Sequence, residues 1–202
     1  MKENTAWDRQ YSRRGELWGG AADGLPALPE GSEVLELGCG NGKTLSAMTG
    51  RSWQITGLDF SAEAVALCSR ITGPRLLTAD VRHLPFRDET FDAVFAFHIT
   101  GHLEREDREM MAEEITRVLR RGGRLFFRGF GRGDMRCGKG TETEEATFRR
   151  GDGIITHYFT EEETEDLFSG LRAISVRTDT WNMRIRGRDY PRAEIWAELM
   201  KP

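Results

Sequence analysis

The stretch Val34–Thr44, VLELGCGNGKT, decides the fold of this chain. The apolar run Ser32–Leu37 predicts a strand, the G-x-G-x-G spacing of Gly38–Gly42 predicts a tight turn, and a helix is expected from about Lys43. Glycine lets a backbone turn sharply and approach a ligand closely. The first turn of a helix offers unpaired N–H groups. A strand, a glycine turn and a helix in this order therefore indicate a nucleotide-binding loop.

Strand and helix patterns alternate on the C-terminal side of this loop. Further strands are predicted at 53–58, 75–78, 91–97 and 124–127, and helices at 61–69 and around Met111, Ile115, Val118 and Leu119, the latter ending at Gly122–Gly123. Such alternation predicts a parallel sheet covered by helices.

The pattern changes beyond Gly129. Residues 130–153 are rich in Gly, Arg and Glu, and Gly151–Gly153 predicts a hairpin turn. Thr160 with Glu163 has the spacing of a capping box, which predicts a helix to about Phe168. Segments 173–181 and 194–200 are expected to close the sheet as an antiparallel pair. The first 30 residues, with Trp7, Tyr11 and Trp18, predict a cap helix and loop.

Composition excludes several classes of protein. The 202 residues include 29 basic and 33 acidic ones, a net charge of -4, which argues against a globally basic nucleic-acid binder. Nine basic and five acidic residues nevertheless give segment 120–153 a local charge of +4. A second basic cluster comprises Arg184, Arg186, Arg188 and Arg192. Three cysteines without a CxxC pair, no signal sequence and no 18-residue apolar run predict a cytoplasmic protein without a membrane span.

Three nucleotide-binding interpretations compete for the glycine loop. A P-loop would use Gly42-Lys43-Thr44, but its first glycine would fall on Leu37. A dinucleotide fingerprint would need its third glycine at Lys43, and Glu36 would face a pyrophosphate. Both interpretations are therefore disfavoured.

The third interpretation is S-adenosylmethionine (SAM), a cationic ligand without phosphate. Glu36 at the end of the first strand suits its ammonium and sulfonium groups. Asp59 ends the second strand, where a carboxylate can accept both ribose hydroxyls. Asp80 follows the third strand and can accept the adenine amino group.

These residues resemble the motifs of class I SAM-dependent methyltransferases, in particular small single-domain members such as those of quinone biosynthesis. Five motifs occur in the family's order: Glu36–Gly42, Asp59–Ser61, Ala79-Asp80 with Leu84–Phe86, Phe91–Val94 and Val118–Leu125. The resemblance is strong over about 32–129 and weak elsewhere. It implies an α/β, Rossmann-like sheet of seven mostly parallel strands, with the last strand antiparallel and helices on both faces.

The resemblance also implies how the chain divides. A single methyltransferase domain is expected over 1–202, with a cap (1–30), a SAM-binding core (31–129), a substrate insertion (130–160) and a C-terminal helix and strands (161–202). The residues expected to bind SAM, and S-adenosylhomocysteine as product, are Tyr11, Trp18, Glu36, Gly38, Cys39, Gly40, Asp59, Phe60, Asp80, Val81 and Phe97.

The acceptor is expected to enter between the cap and the insertion. Its candidate contacts are His98, His102, Arg128, His157 and Tyr158. A small-molecule acceptor is expected, the alternatives being an RNA or protein methyltransferase or a non-catalytic SAM-binding regulator. A histidine could act as general base, since its pKa lies near neutrality. His98 and His102 are spaced i, i+4 like a metal-binding pair, but no carboxylate or cysteine nearby clearly supplies a third ligand, so no metal is expected.

Overall fold

The computed structural model describes residues 4–14 and 24–202, and gives only the backbone at 4, 5, 13 and 14. Trp18, expected to bind the cofactor, lies outside the described residues.

Five parallel strands form the first part of the large sheet. They are β1 (Glu33–Leu37), β2 (Gln54–Asp59), β3 (Arg75–Thr78), β4 (Phe91–Phe97) and β5 (Leu119–Phe130). Their order is β3-β2-β1-β4-β5, so the chain winds outward from β1 in one direction and then returns to β4 on its other side. Ligands of open α/β sheets bind at this kind of reversal, outside the carboxyl ends of the strands.

Two long strands complete the sheet and confirm the predicted closing pair. β9 (Arg172–Ile185) and β10 (Arg188–Met200) form a hairpin, and β10 runs antiparallel to β5. The full order is β3-β2-β1-β4-β5-β10-β9, a seven-stranded sheet with β10 reversed. This is the expected fold.

Helices cover both faces of the sheet because side chains alternate along its strands. The helices are α1 (Asn4–Arg14), α2 (Lys43–Met48), α3 (Ala62–Cys68), α4 (Arg105–Val118) and α5 (Glu161–Leu167). Leu35 and Leu37 of β1 pack in one core cluster with Met111 and Ile115 of α4. Val34, on the opposite face, packs in a second cluster with Leu45 and Met48 of α2.

The structure corrects the end of α4 and the start of β5. The helix does not continue to Gly122–Gly123 but ends at Val118, and β5 begins at Leu119. The register against β4 shifts between Phe91 and Ala93, so these glycines lie within an irregular part of the strand. A Cβ on Gly123 would stand 2.8 Å from the Arg120 carbonyl oxygen, so this turn of the backbone excludes larger residues. Local periodicity identified the helix but could not distinguish a helix cap from a strand bulge.

The segment after β5 folds as a small antiparallel sheet of its own. It contains β6 (Thr141–Glu144), β7 (Thr147–Arg149) and β8 (Ile155–His157), in that order. The β7–β8 pair is the hairpin predicted around Gly151–Gly153. An isolated bridge between Gly131 and Phe159 joins both ends of the segment.

Helix α5 has only half of the predicted capping box. The Thr160 hydroxyl accepts a hydrogen bond from the Glu163 N–H at 3.1 Å, as a helix N-cap does. The Glu163 carboxylate does not return to the cap; its Oε1 lies 2.6 Å from His157 Nε2. Glu163 therefore joins α5 to β8 instead of closing its own helix end.

No helix in the described part of the chain is long and apolar enough to cross a membrane.

Thr160→Ala should lower the free energy of unfolding by about 1 kcal/mol, because the Glu163 N–H loses its acceptor. Urea denaturation followed by circular dichroism measures this difference. Thr160→Ser keeps the hydroxyl and should stay within a few tenths of a kcal/mol of the parent. Equal losses in both variants would show that the methyl group, and not the cap, is responsible.

Candidate cofactor and acceptor site

The glycine loop turns between β1 and α2 in a backbone conformation that favours glycine. Gly38 and Gly40 have φ values of 68° and 53°. A Cβ on Gly40 would also lie 2.8 Å from the Tyr11 Oη, so this position is closed to side chains by α1 as well. The loop thus presents its backbone to the region beneath the N-terminal helix.

Asp59, the last residue of β2, holds the loop in place. Its buried carboxylate accepts hydrogen bonds from the Gly40 N–H and the Ser61 N–H, both at 2.9 Å. Burial raises the pKa of Asp59, and the two N–H donors act in the opposite direction. The residue predicted to bind ribose is therefore also a structural anchor of the site.

Glu36, at the same edge of β1, is buried and only partly satisfied. The Thr44 side chain and the Leu45 N–H bond to its carboxyl group, and burial raises its pKa. Its Oε2 has no hydrogen-bond partner among the described residues. A buried, unpaired acceptor is costly, and such a group in a native fold points to a ligand or water.

Helix α1 lies across this edge of the sheet. Tyr11 is buried against Gly40, and Trp7 packs on it with ring centroids 6.0 Å apart. The Ser61 hydroxyl donates to Asp8 at 2.5 Å, which fixes α1 to the start of α3. The described part of the predicted cap therefore covers the glycine loop.

A cavity of about 270 Å³ opens between α1 and the ends of β3 and β4. Among its lining residues are the predicted Phe60, Asp80, Val81 and His102, together with Trp7 and Ile99. Sequence analysis placed Trp7 in the cap but not among the cofactor-binding residues, because nothing in a single N-terminal helix shows which aromatic residue will face inward.

Asp80 stands at the rim of this cavity in an ion-pair chain. Arg82 binds it through Nη2 at 2.6 Å and contacts Asp107 through Nη1 at 3.0 Å. Arg82 holds the pKa of Asp80 below its usual range, so the group is a carboxylate at neutral pH. Sequence analysis missed Arg82, although its position two residues after Asp80 was visible.

Cys39 and Phe97 occupy the other side of the sheet from this cavity. Cys39 packs in the core cluster of α2 and α3, with its Sγ 3.7 Å from that of Cys68. Phe97 packs on Phe95, and the Arg128 guanidinium lies 4.2 Å from the Phe97 ring centroid. Arg128 is held between this ring and that of Trp196, 3.4 Å away.

His98, which follows β4, is the centre of a second group of side chains, on the side where the acceptor is expected. Its φ of 59° is unusual for a residue other than glycine, and such backbone is enriched at functional sites. Its Nε2 lies 2.9 Å from Glu194 Oε1 of β10, and its ring packs on Phe130 at 4.6 Å. Its Nδ1 is buried without a partner among the described residues. Glu194 was missed by sequence analysis, because only the sheet order brings β10 beside the end of β4.

His102 lines the cavity of about 270 Å³ beneath α1 instead. Its Nδ1 lies 2.7 Å from the Ile155 carbonyl oxygen, and its ring meets Trp7 edge to face at 4.8 Å. Burial lowers the pKa of His102 to about 4, so the ring is neutral at pH 7 and its Nδ1–H donates to that carbonyl. His98 and His102 therefore have different partners, and no metal-binding group is found in the described part of the chain.

His157 and Tyr158 are both buried, and their side chains have protein partners. His157 contacts Thr147 Oγ1 at 2.7 Å through Nδ1 and Glu163 through Nε2, beside a cleft of about 1140 Å³ between α4 and α5. Tyr158 lies between Phe130 and Phe148, with ring centroids 6.5 Å and 6.1 Å away. The structure does not bring His157 to the cavity of His102.

These residues fit SAM by their own chemistry. Glu36 offers a buried unpaired oxygen for a cation, and Asp80 offers a carboxylate beside an aromatic-lined cavity. The glycine loop between them has positive φ values at Gly38 and Gly40, so its backbone carries no side chain there. The site lies at the carboxyl ends of β1, β2 and β3, where open sheets bind nucleosides.

Comparisons with known proteins agree with this geometry. Residues 35–127 match the family model of the methyltransferase domain Methyltransf_11. The chain is 39% identical over 113 residues to the tRNA (carboxymethyluridine(34)-5-O)-methyltransferase of Arabidopsis thaliana, covering 55% of this chain and 27% of the relative. It is 28% identical over 202 residues to the tRNA N(3)-methylcytidine methyltransferase Mettl2 of Drosophila melanogaster, covering 90% of this chain and 62% of the relative. The chain thus spans less than two thirds of either relative.

The fold matches a solved structure as well. A SAM-dependent methyltransferase from Methanosarcina mazei superposes with a TM-score of 0.72 at 24% identity, covering 90% of this chain and all of that one. The fold, the motifs and the domain matched at 35–127 are those of class I SAM-dependent methyltransferases. SAM is the cofactor of that class of enzyme.

Binding of S-adenosylhomocysteine should slow amide hydrogen exchange in α1. Its residues Trp7 and Tyr11 pack over the cavity and the glycine loop, so a ligand beneath them adds contacts that only the closed helix can make. Exchange followed by mass spectrometry should show protection within 4–14. Helix α5, which contributes nothing to the cavity, is the internal control. Unchanged exchange in α1 with saturating ligand would contradict a role for this helix as a lid.

Proposed function

We propose that this chain is a SAM-dependent methyltransferase that acts on RNA, and that its acceptor is a transfer RNA. The observation that carries the proposal is the extent of the likeness to the Drosophila tRNA methyltransferase, which covers 90% of this chain and not only the matched domain at 35–127. Residues 35–127 include the glycine loop and the acidic strand ends, which serve the cofactor whatever the acceptor is. The similarity to the tRNA methyltransferase outside residues 35–127 therefore supports a tRNA acceptor.

The rim of the acceptor side suits a nucleotide. Arg136 lies 3.9 Å from the ring centroid of Phe130, which also packs on His98. Arg136 and Arg192 both bind the buried Asp134, at 2.7 Å and 2.6 Å. Burial works to raise the pKa of Asp134, but the two guanidinium groups lower it to about 2, so the cluster keeps a net positive charge. Aromatic rings with planar cations are the groups on which unstacked RNA bases pack.

The cofactor roles follow from the site and belong to the same proposal. Glu36 holds the methionine end, Asp59 and the loop hold the ribose, and Phe60, Asp80 and Val81 bind adenine, with Trp7 and Tyr11 closing over them. Bound SAM supplies an electrophilic methyl group: a nitrogen or oxygen of the acceptor bonds to that carbon while the carbon–sulfur bond breaks. Positioning supplies much of the rate enhancement for such a displacement.

His98 is the group that faces the acceptor. Glu194 fixes its Nε2, which leaves the buried Nδ1 as the ring nitrogen without a partner among the described residues. Positioned there, His98 accepts a hydrogen bond from the acceptor or its proton. Arg128 lies behind Phe97 and Trp196 and contributes charge to this side without reaching the cavity of His102.

Transfer of a tritiated methyl group from SAM should be detectable on unfractionated tRNA and absent on a panel of small carboxylate, phenol and quinol acceptors. Digestion of the product to nucleosides identifies the methylated base. Heat-denatured tRNA is the control for shape recognition. Turnover on a panel member with none on tRNA would overturn the RNA proposal and confirm the small-molecule acceptor expected from the sequence.

His98→Asn should lower kcat on the acceptor by about 100-fold, because the ring that meets the acceptor is removed. Affinity for S-adenosylhomocysteine, measured by calorimetry, should stay at the parent value, since the cofactor cavity lacks His98. His83→Asn, at an exposed histidine, is the matched control. A kcat of His98→Asn within threefold of the parent would exclude the assigned role.

A further inference from the structure

We propose that the ribbon formed by residues 180–192 is an RNA-binding arm that holds the acceptor beside the methyl-transfer site. The inference deepens the proposed function and rests on it. The ribbon comprises the last part of β9, the Arg186-Gly187 turn and the first part of β10.

The ribbon projects from the edge of the sheet that carries the site. β10 pairs with β5 only from Glu194 to Met200, where Glu194 lies opposite Phe130 at the carboxyl end of β5. From Arg188 to Ala193, β10 pairs with β9 but not with β5. At about 3.3 Å per residue, the stretch from Glu194 to the turn reaches about 23 Å beyond that end. The Met135 N–H donates to the Pro191 carbonyl at 2.8 Å and supports the base of the ribbon.

One face of the ribbon is continuous with the acceptor side. Residues directly opposite in an antiparallel pair share a face, and the pairs here are Trp181 with Arg192, Met183 with Tyr190, and Ile185 with Arg188. Side chains alternate along a strand, so this face also carries Glu194 and Trp196. Glu194 binds His98, and Trp196 packs on Arg128. A strand of RNA lying on this face would lead directly to His98.

The same face combines cations with exposed apolar groups. Arg188 and Arg192 lie on this face, and Arg184 and Asp189 pair on the other one. Residues 180–192 as a whole contain four arginines and one aspartate, a net charge of +3 in a chain whose total is -4. Trp181, Met183 and Ile185 are 42%, 37% and 37% exposed. The Arg192 guanidinium lies 5.4 Å from the Trp181 ring centroid. Aromatic rings stack on unpaired bases, and neighbouring positive charges bind the phosphates, so the two together suit single-stranded RNA. A surface that only packs on another protein would not require the positive charges.

The turn at the tip keeps an arginine where the backbone disfavours one. Arg186 and Gly187 have φ values of 48° and 79°, the two positive values of a type I′ hairpin turn. Asparagine is the favoured residue at the first of these positions. Among the described residues, Arg186 and Arg188 make no ion pair, whereas Arg184 binds Asp189 at 3.2 Å. The tip therefore presents two cations, Arg186 and Arg188, without an acidic partner among the described residues. The arginine at 186 does not stabilise the turn, since its positive φ favours asparagine or glycine.

The test uses Arg186→Asn, because this change improves the turn while it removes the charge. Fluorescence anisotropy with an end-labelled tRNA measures affinity at several salt concentrations. Arg186→Asn combined with Arg188→Asn should weaken binding at least about fivefold and reduce the slope of log K against log salt by about 1.5. Trp181→Ala should weaken binding about tenfold with little change of slope, since stacking is lost and not charge. Arg75→Asn with Arg121→Asn, at exposed arginines near the opposite ends of the strands, is the matched control.

Supporting results are a raised KM for tRNA with parental kcat, parental affinity for S-adenosylhomocysteine and an unfolding temperature no lower than that of the parent. If the parent methylates tRNA but the ribbon variants bind tRNA as tightly as the parent does, the RNA-binding arm is wrong and the proposed function stands. No tRNA binding or methylation by the parent would overturn the proposed function itself. If analytical ultracentrifugation finds that the parent is a dimer and that Trp181→Ala is a monomer, the ribbon is an interface between two copies of the chain. That result would also overturn the RNA-binding arm.

Discussion

The buried carboxylate of Asp59 is the contact on which the cofactor side depends. It ends β2 and accepts the Gly40 and Ser61 N–H groups, so one residue joins the loop after β1 to the start of α3. Without it, two buried N–H donors would lack acceptors, a loss that folded proteins avoid. Because the loop and α3 are both fixed, α1 has a defined surface on which to lie, through Tyr11 over Gly40 and Asp8 on Ser61. The position of α1, the cavity beneath it and the glycine turn follow from this arrangement.

The acceptor side depends on a different constraint, the antiparallel pairing of β10 with β5. That pairing places Glu194 beside His98 and Trp196 beside Arg128, residues that are 96 and 68 positions apart in the chain. It also directs the end of the β9–β10 hairpin past the carboxyl end of β5. The cofactor side is thus built from short local segments, and the acceptor side from contacts that only the complete sheet provides. A locally built cofactor cradle beside a separately built acceptor wall is a physical basis for one fold that serves many acceptors.

The network around His157 shows why local motifs mislead at such places. Thr160 and Glu163 have capping-box spacing, and Thr160 does cap α5, but Glu163 bonds His157 instead. The buried histidine had to be paired, and β8 brings it within 2.6 Å of the carboxylate. His157 and Tyr158 were expected to contact the acceptor, but their side chains instead contact residues of the small sheet and its neighbours. The change from helix to strand at Leu119 has a similar cause, because pairing with β4 and with the chain end at Lys201 outweighs the helical pattern.

The sequence by itself determined the strand and helix order, the glycine turn and the acids at the ends of β1, β2 and β3. These features are local: hydrophobic periodicity, a backbone conformation that needs glycine, and a charge at a strand end are all visible within about ten residues. The tertiary structure decided that Trp7 lines the cavity, that Arg82 pairs with Asp80 and Asp107, and that Glu194 holds His98. It also decided that the arginines of 180–192 lie beyond the carboxyl end of β5. Each of these depends on which distant segments become neighbours. Strand order and register set that proximity, because sheet pairing brings together residues that no local pattern connects.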